Sequence, residues 1–251
     1  PNVAGGLRVP CALPGASLPG DFTIKIAKVR GIESSGMLCS AKELGIAEEA
    51  SGLLVLPPDA PVGQSIRDYL DLDDQVFELK LTPNRADCLS LTGVAREVAA
   101  IAGAKVSFVE VPEVAPAIAD QRAVTLDASE ACPLYCGRVI KGVDARAATP
   151  EWMKRRLERS GIRAISALVD VTNYVMLELG QPLHAFDNTK LDGAIHARMA
   201  RPDEKLLLLN EQTITIDSDI LVIADDANPL AMAGIMGGED SGITLDTTEL
   251  L

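Results

Sequence analysis

The chain comprises 251 residues, 47% hydrophobic and only 3% aromatic, and its 23 basic and 36 acidic side chains leave a net charge of −13. That length accommodates one large domain or two to three small ones, and the apolar share suits a packed globular interior. No stretch approaches the ~18 unbroken apolar residues of a membrane span, so membrane and disordered classes are excluded.

The first third is rich in Gly and Pro. Residues 22–26 alternate apolar and polar side chains, with turn signals at Leu13-Pro14-Gly15 and Leu18-Pro19-Gly20, the pattern of a small β-barrel or sandwich. Further strands are expected at 53–56, closed by Pro57-Pro58, and at 76–81, which runs into Thr82-Pro83-Asn84-Arg85. Leu91, Val94, Ala95, Val98, Ile101 and Ala102 recur at three and four, which predicts an amphipathic helix stopped by Gly103. After a strand at 106–111, Pro112-Glu113-Val114-Ala115-Pro116 is the best-marked domain boundary.

The second half reads as mixed α and β. Thr149 is expected to cap a helix whose first residue is Pro150, with Gly161 as its left-handed exit. A second helix is expected from near Asp170 to Gly180, with Pro182 beyond its stop. Strands follow at 195–200, 206–209, 213–216 and 220–224, and no fixed period repeats, which excludes solenoids.

Charge is segregated. Residues 137–163 hold eight basic and three acidic side chains, a net +5, and the helix within them carries Lys154, Arg155, Arg156 and Arg159. From Pro202 onward eleven acidic residues face one lysine, a net −10. An acidic chain repels nucleic acid on average, so any phosphate contact falls to the basic helix or to Lys25, Lys28 and Arg30. A solvated charged face is the competing reading for each. Five cysteines, at 11, 39, 88, 132 and 136, are an odd number without disulfide-like density, which points to a reducing compartment and a cytoplasmic location. Neither histidine lies near Cys132 and Cys136, so no metal site is expected. The chain starts at Pro1 and stops inside an apparent apolar strand, which reads as an excised piece of something longer.

Candidate chemistry is sparse. His184 lies in a loop after a helix, where Gln181 and Asp187 are placed to fix its tautomer; a structural histidine bonding a carbonyl is the alternative. His196 alternates within a strand and reads as a surface or packing residue. Thr172 and Asn173 are expected in the first turn of their helix, where free NH groups receive an oxyanion or hydroxyl, against a simple capping role. Ala233-Gly234-Ile235-Met236-Gly237-Gly238 lacks the Lys-Ser/Thr of a phosphate loop; it serves either close backbone approach or a tight turn. No nucleophile elbow and no His-Glu-x-x-His helix is present, which discourages an unrelated serine or metal hydrolase.

The segment Gly31-Ile32-Glu33-Ser34-Ser35-Gly36-Met37-Leu38-Cys39-Ser40, followed by Glu43-Leu44-Gly45, resembles the tRNA-binding OB-fold module of the bacterial phenylalanyl-tRNA synthetase beta-subunit family. Four more blocks match the same family in order. They are Thr82-Pro83-Asn84-Arg85-Ala86-Asp87-Cys88, Val169-Asp170-Val171-Thr172-Asn173-Tyr174-Val175, Leu179-Gly180-Gln181-Pro182-Leu183-His184-Ala185-Phe186-Asp187, and Gly234-Ile235-Met236-Gly237-Gly238-Glu239.

The resemblance implies a multidomain α+β chain, with a partial OB-fold β-barrel followed by a mixed α/β editing domain of the B3/B4 kind. Residues 1–70 would be the partial OB-fold, 71–112 half of its host domain, 113–120 a linker and 121–251 the editing domain, truncated at its end. It implies tRNA(Phe) and the alpha subunit of a heterotetramer as partners. ATP and Mg2+ would serve the whole enzyme, in the alpha subunit, with no cofactor in this fragment. The activity carried here would be hydrolysis of tyrosine wrongly esterified to tRNA(Phe), since one ring hydroxyl is a small difference for a site that must accept the ring.

By the same resemblance, His184, Thr172 and Asn173 would be catalytic, with His184 orienting or deprotonating a water or holding the tRNA end. Ala233, Gly234 and Pro182 would shape the substrate pocket, and Lys25, Lys28, Arg30, Arg155 and Arg156 would contact tRNA. The family's tyrosine-hydroxyl acceptor, a glutamate, would fall about two residues past Leu251, so the fragment alone would edit weakly or not at all. The alternative is a non-catalytic tRNA-binding scaffold.

Overall fold

The computed structural model describes residues 2–47, 50–108 and 110–251. The chain divides into two compact units, Pro1–Gln75 and Val76–Leu251.

In the first unit, six short strands form three antiparallel pairs. β1 (Cys11–Ala12) pairs with β6 (Met37–Leu38), β2 (Ser17–Leu18) with β3 (Phe22–Thr23), and β4 (Ala27–Val29) with β5 (Ile32–Ser34). Ala12, Ile24 and Cys39 form its buried core, with Leu18, Met37 and Leu44 packed against them. The strand expected at 22–26 is shorter: β3 ends at Thr23, and although the Ile24 NH still reaches the Ala16 carbonyl at 2.9 Å, residues 25–26 are exposed and irregular. Residues 53–56 form only a bridge between Leu56 and Arg8. Pro57 and Pro58 supply no NH to extend that ladder. A single-turn helix, α1 (Ile66–Tyr69), closes the unit.

In the second unit the strand expected at 76–81 is irregular chain, with Val76, Phe77 and Leu79 exposed. Residues 106–108 and 110–111 are irregular too, and Val109 of that expected strand lies outside the described residues. The stretch at 112–116 lies within this unit rather than at its edge.

The helix α2 (Leu91–Ala102) has the expected limits, since the Ser90 hydroxyl accepts the Gly93 NH and Gly103 takes the left-handed exit at φ 63°. It rests directly on the turn Ala86–Cys88. A β-carbon on Gly93 would sit 1.7 Å from the Asp87 carbonyl oxygen. Arg85 braces this junction by donating to Glu97 at 2.7 Å and to Asp87 at 2.9 Å.

The main sheet has five strands in the order β14-β13-β12-β9-β7. These are β7 (Val124–Leu126), β9 (Ile195–Met199), β12 (Leu221–Ala224), β13 (Pro229–Met232) and β14 (Met236–Gly237). All neighbours are antiparallel except β7 and β9, which run parallel. Alternation along the strands divides the core. Ile195, Ala197, Ile223 and Ala231 pack with Phe186 on one face, whereas Val222 and Ala224 pack with Leu206, Leu208 and Ile216 on the other. The second cluster is furnished partly by the hairpin of β10 (Lys205–Leu207) and β11 (Thr213–Thr215). A small ladder joins β8 (Ile140–Lys141) to β15 (Glu249–Leu250).

Two α-helices lie between β8 and β9 in sequence. α3 (Glu151–Arg159) buries Met153 and Leu157, one turn apart, each burial worth roughly 1.5–3 kcal/mol. Its first residue is Glu151 rather than Pro150, and Thr149 does not cap it: the Thr149 hydroxyl donates to Asp170. α4 (Ala167–Leu179) begins three residues earlier than expected. Asp170 is fully buried in its first turn and also accepts the Ile165 NH at 2.9 Å, so its carboxylate fixes the entry of α4. Among the described residues no helix is long and apolar enough to cross a membrane.

Candidate functional site

The glycine-rich segment is a hairpin. Ile235 NH returns to the Met232 carbonyl at 3.0 Å, and Gly234 takes the positive φ of 70° that the turn between β13 and β14 demands. A β-carbon on Gly234 would meet nothing. The close approaches belong to the next glycines. A β-carbon on Gly237 would fall 2.3 Å from His184 Cε1, and one on Gly238 2.6 Å from the Leu230 carbonyl oxygen. Both roles expected of the segment are present, at different residues. Ala233, half-buried, packs against the cluster around Phe186.

His184 is thus laid along β14. Its ring also leans on Phe186, with centroids 4.4 Å apart and planes tilted by 59°. Phe186 is a firm anchor, only 2% exposed, and its NH and carbonyl exchange hydrogen bonds with Leu251 at 2.9 and 3.0 Å. Although part of the ring meets solvent, burial of the imidazole against these neighbours lowers its pKa below the ordinary 6.5, which favours the neutral form. Neither expected orienting group serves it. Asp187 is buried: that burial pushes its carboxyl pKa up, but hydrogen bonds from Thr189 and Thr247 outweigh it and hold the carboxyl below its usual range. Gln181 donates to the Pro182 carbonyl at 3.3 Å, and Pro182 itself is exposed.

Gly237→Ala tests this packing. The added methyl is expected to displace the imidazole and destabilise the chain by about 1–3 kcal/mol, the usual range for overpacking. A chemical-denaturation midpoint and the His184 ring proton shifts read both effects, and unmoved shifts would mean the strand yields instead.

Thr172 and Asn173 are not in the first turn. Because α4 starts at Ala167, both follow the four residues whose NH groups are free, so the expected oxyanion site at a helix N-terminus is corrected. The Thr172 hydroxyl donates to the Val169 carbonyl at 2.7 Å, and half-buried Asn173 lies one residue on. α4 packs on α2 and α3. Among the described residues, neither side chain hydrogen-bonds to His184. Two cavities, of about 290 and 170 Å³, exclude His184, Thr172 and Asn173 from their walls, though the smaller reaches Gly238. The structure therefore joins His184 to the glycine strand but does not gather the expected trio by direct contact.

The basic residues fall in two places. Lys25, Lys28 and Arg30 are exposed in the first unit, the last two on the β4–β5 hairpin, where Arg30 and Gly31 at φ 50° and 83° make the two-residue turn. Arg155 and Arg156 lie on α3. Arg156 donates to the Tyr174 hydroxyl at 2.6 Å and stands 5.4 Å over the Trp152 ring.

The structure also shows a polar cluster that the sequence conceals. His196 Nδ1 lies 2.7 Å from Thr125 Oγ1 and 3.2 Å from Asp127, while Nε2 lies 2.7 Å from Asp226. The bond to Asp226 chiefly raises the imidazole pKa above 6.5, against some desolvation and with help from Asp127. A raised folded-state pKa means that this contribution is present below pH 6.5 and is lost as pH climbs through the raised value. His184 acts in the opposite sense, losing stability on acidification. His196→Gln is therefore expected to lower the unfolding midpoint below pH 6.5 and to flatten the decline that follows as pH climbs through the raised value, so that variant and wild type converge on the alkaline side. An unchanged alkaline limb would show that the two carboxylates stabilise nothing through the ring.

Among the described residues no group of three or more His, Cys, Asp and Glu is placed to hold a metal ion. The glycine hairpin opens no helix that would receive a phosphate.

A B3/4 domain family matches residues 131–251 and a tRNA binding domain family matches residues 20–65. The chain is 83% identical to the phenylalanine–tRNA ligase beta subunit of Dechloromonas aromatica, and 65% and 63% identical to those of Aromatoleum aromaticum and Chromobacterium violaceum. Each alignment covers 100% of this chain and 31–32% of the relative, so the chain spans about a third of their length. A solved N-terminal fragment of the Pyrococcus horikoshii phenylalanyl-tRNA synthetase beta subunit aligns at 19% identity and a TM-score of 0.40, over 74% of this chain and 61% of that one.

Proposed function

The chain is homologous along its whole length to one segment of phenylalanine–tRNA ligase beta subunits, and from that premise we propose that it binds tRNA(Phe) and contributes to hydrolytic editing of tyrosyl-tRNA(Phe). Residues 1–70 are then the partial OB-fold, 71–112 half of its host domain, 121–251 the editing domain, and the setting the cytoplasm. The alpha subunit is the partner that holds ATP, Mg2+ and the aminoacylation site.

The single observation that carries the editing reading is the His184 imidazole seated over Gly237, within the matched B3/4 region, where burial lowers its pKa and favours the neutral form. A neutral ring accepts a proton or hydrogen bond from a water directed at the ester carbonyl. Thr172 and Asn173 serve by hydrogen bonding after substrate arrives. Ala233, Gly234 and Pro182 keep the approach free of bulk.

The scaffold reading has one observation in its favour: the Thr172 hydroxyl is already engaged by the Val169 carbonyl. His184→Ala in the complete ligase, with tyrosyl-tRNA deacylation and tRNA affinity both measured, separates the two readings.

A further inference from the structure

Trp152 is the only tryptophan of the chain, and it is 49% exposed. α3 turns Met153 and Leu157 inward, so Trp152 and Arg156, one turn apart, share the outward face. The indole is nonetheless held. The Arg156 guanidinium stands 5.4 Å over its ring, and Tyr174, reaching from α4, meets it at 5.2 Å with planes 89° apart. Tyr174 is fixed in turn, accepting from Arg156 at 2.6 Å and donating to Glu178 at 3.4 Å. A large aromatic surface locked by two helices and still half in water is what a stacking ligand requires, because little side-chain freedom remains to be lost on binding.

The surroundings select the ligand. α3 carries Lys154, Arg155, Arg156 and Arg159 against Glu151 and Glu158, a cationic helix on a chain of net charge −13. An aromatic ring flanked by cations recognises an unpaired nucleotide, the base by stacking and the phosphate by charge. We propose that Trp152, clamped by Arg156 and Tyr174, is a stacking platform for one unpaired base of an RNA strand, with the adjoining phosphate received by the cations of α3. This rests on the tRNA-binding reading above and places one contact within it. Arg156 then acts mainly as the clamp of the ring, a different task from the phosphate contact expected of it.

The tryptophan is its own reporter. Saturable quenching of Trp152 emission is expected when the chain is titrated with an RNA tetranucleotide, with affinity roughly tenfold or more above that for an abasic sugar-phosphate tetramer of equal charge. Trp152→Leu, followed by anisotropy of labelled RNA, is expected to erase that difference with an unchanged far-ultraviolet spectrum, and Trp152→Phe to restore part of it. In the complete ligase, Trp152→Leu is expected to weaken tRNA binding while deacylation at saturating tRNA persists. Equal affinity for the two oligomers, or unchanged tRNA affinity in the complete ligase because protein covers the ring, overturns the platform. The editing reading fails separately, on the His184→Ala deacylation rate.

Discussion

In the complete ligase, His184→Ala is expected to slow tyrosyl-tRNA deacylation by roughly 100-fold or more, the lower end of what a positioned acid–base group contributes, with tRNA affinity unchanged. The ring lies over Gly237 and leans on Phe186, and an unchanged far-ultraviolet spectrum and melting temperature are expected to show that the variant keeps its fold. The sign of the pH dependence follows from the lowered pKa. The wild-type rate should fall as pH drops through that value, where the imidazole charges and can no longer accept a proton. The acid limb should vanish in the variant. His184→Gln should recover part of the rate if the ring only orients water, and none if it takes the proton. Unchanged deacylation would return the domain to a scaffold.

Asp170→Ala is expected to destabilise the second unit by about 3 kcal/mol, the scale for breaking a buried charged hydrogen-bond centre. Its carboxylate is completely buried and accepts from the Thr149 hydroxyl and the Ile165 NH, which precede α3 and α4 respectively. Alanine strands both donors at the entries of two helices and empties the buried position that the carboxylate fills. Asp170→Asn keeps one acceptor and should lose less. For a unit of this size the shift in melting temperature is about 2–4 °C per kcal/mol, and a change under 1 °C for alanine would show that the helices are held by apolar packing alone.

Asp170 also marks where sequence reading stops. α2 was legible from its apolar period and from Gly103, a stop that needs no tertiary partner, while the Ser90 hydroxyl that accepts the Gly93 NH was passed over. At α4 the aspartate is of a capping type, so the helix was expected to begin there. Its carboxylate instead reaches back from inside the first turn to the Ile165 NH, and the start lies at Ala167. That shift moved Thr172 and Asn173 away from the free NH groups. The glycine motif was visible as composition, but only the arrival of His184 and Leu206 shows that Gly237 and Gly238 must lack side chains for want of space, whereas Gly234 does so for the backbone angle of its turn. The His196 cluster was beyond reach for another reason. Asp127 and Asp226 lie 69 and 30 residues away along the chain, and the sheet alone brings them to one ring.

The parallel pairing of β7 with β9 has a practical outcome for anyone trimming this chain. The matched B3/4 region opens at residue 131, beyond β7. A recombinant piece cut at that point would lose the Ala123 carbonyl that receives the Ile195 NH and the Thr125 and Asp127 groups around His196. β9 would become a bare margin of the sheet, an open ladder ready to zip onto a neighbouring copy. Clones meant to stay monodisperse should therefore begin upstream of Arg122, whose guanidinium ties this stretch to Asn188 and Gly193.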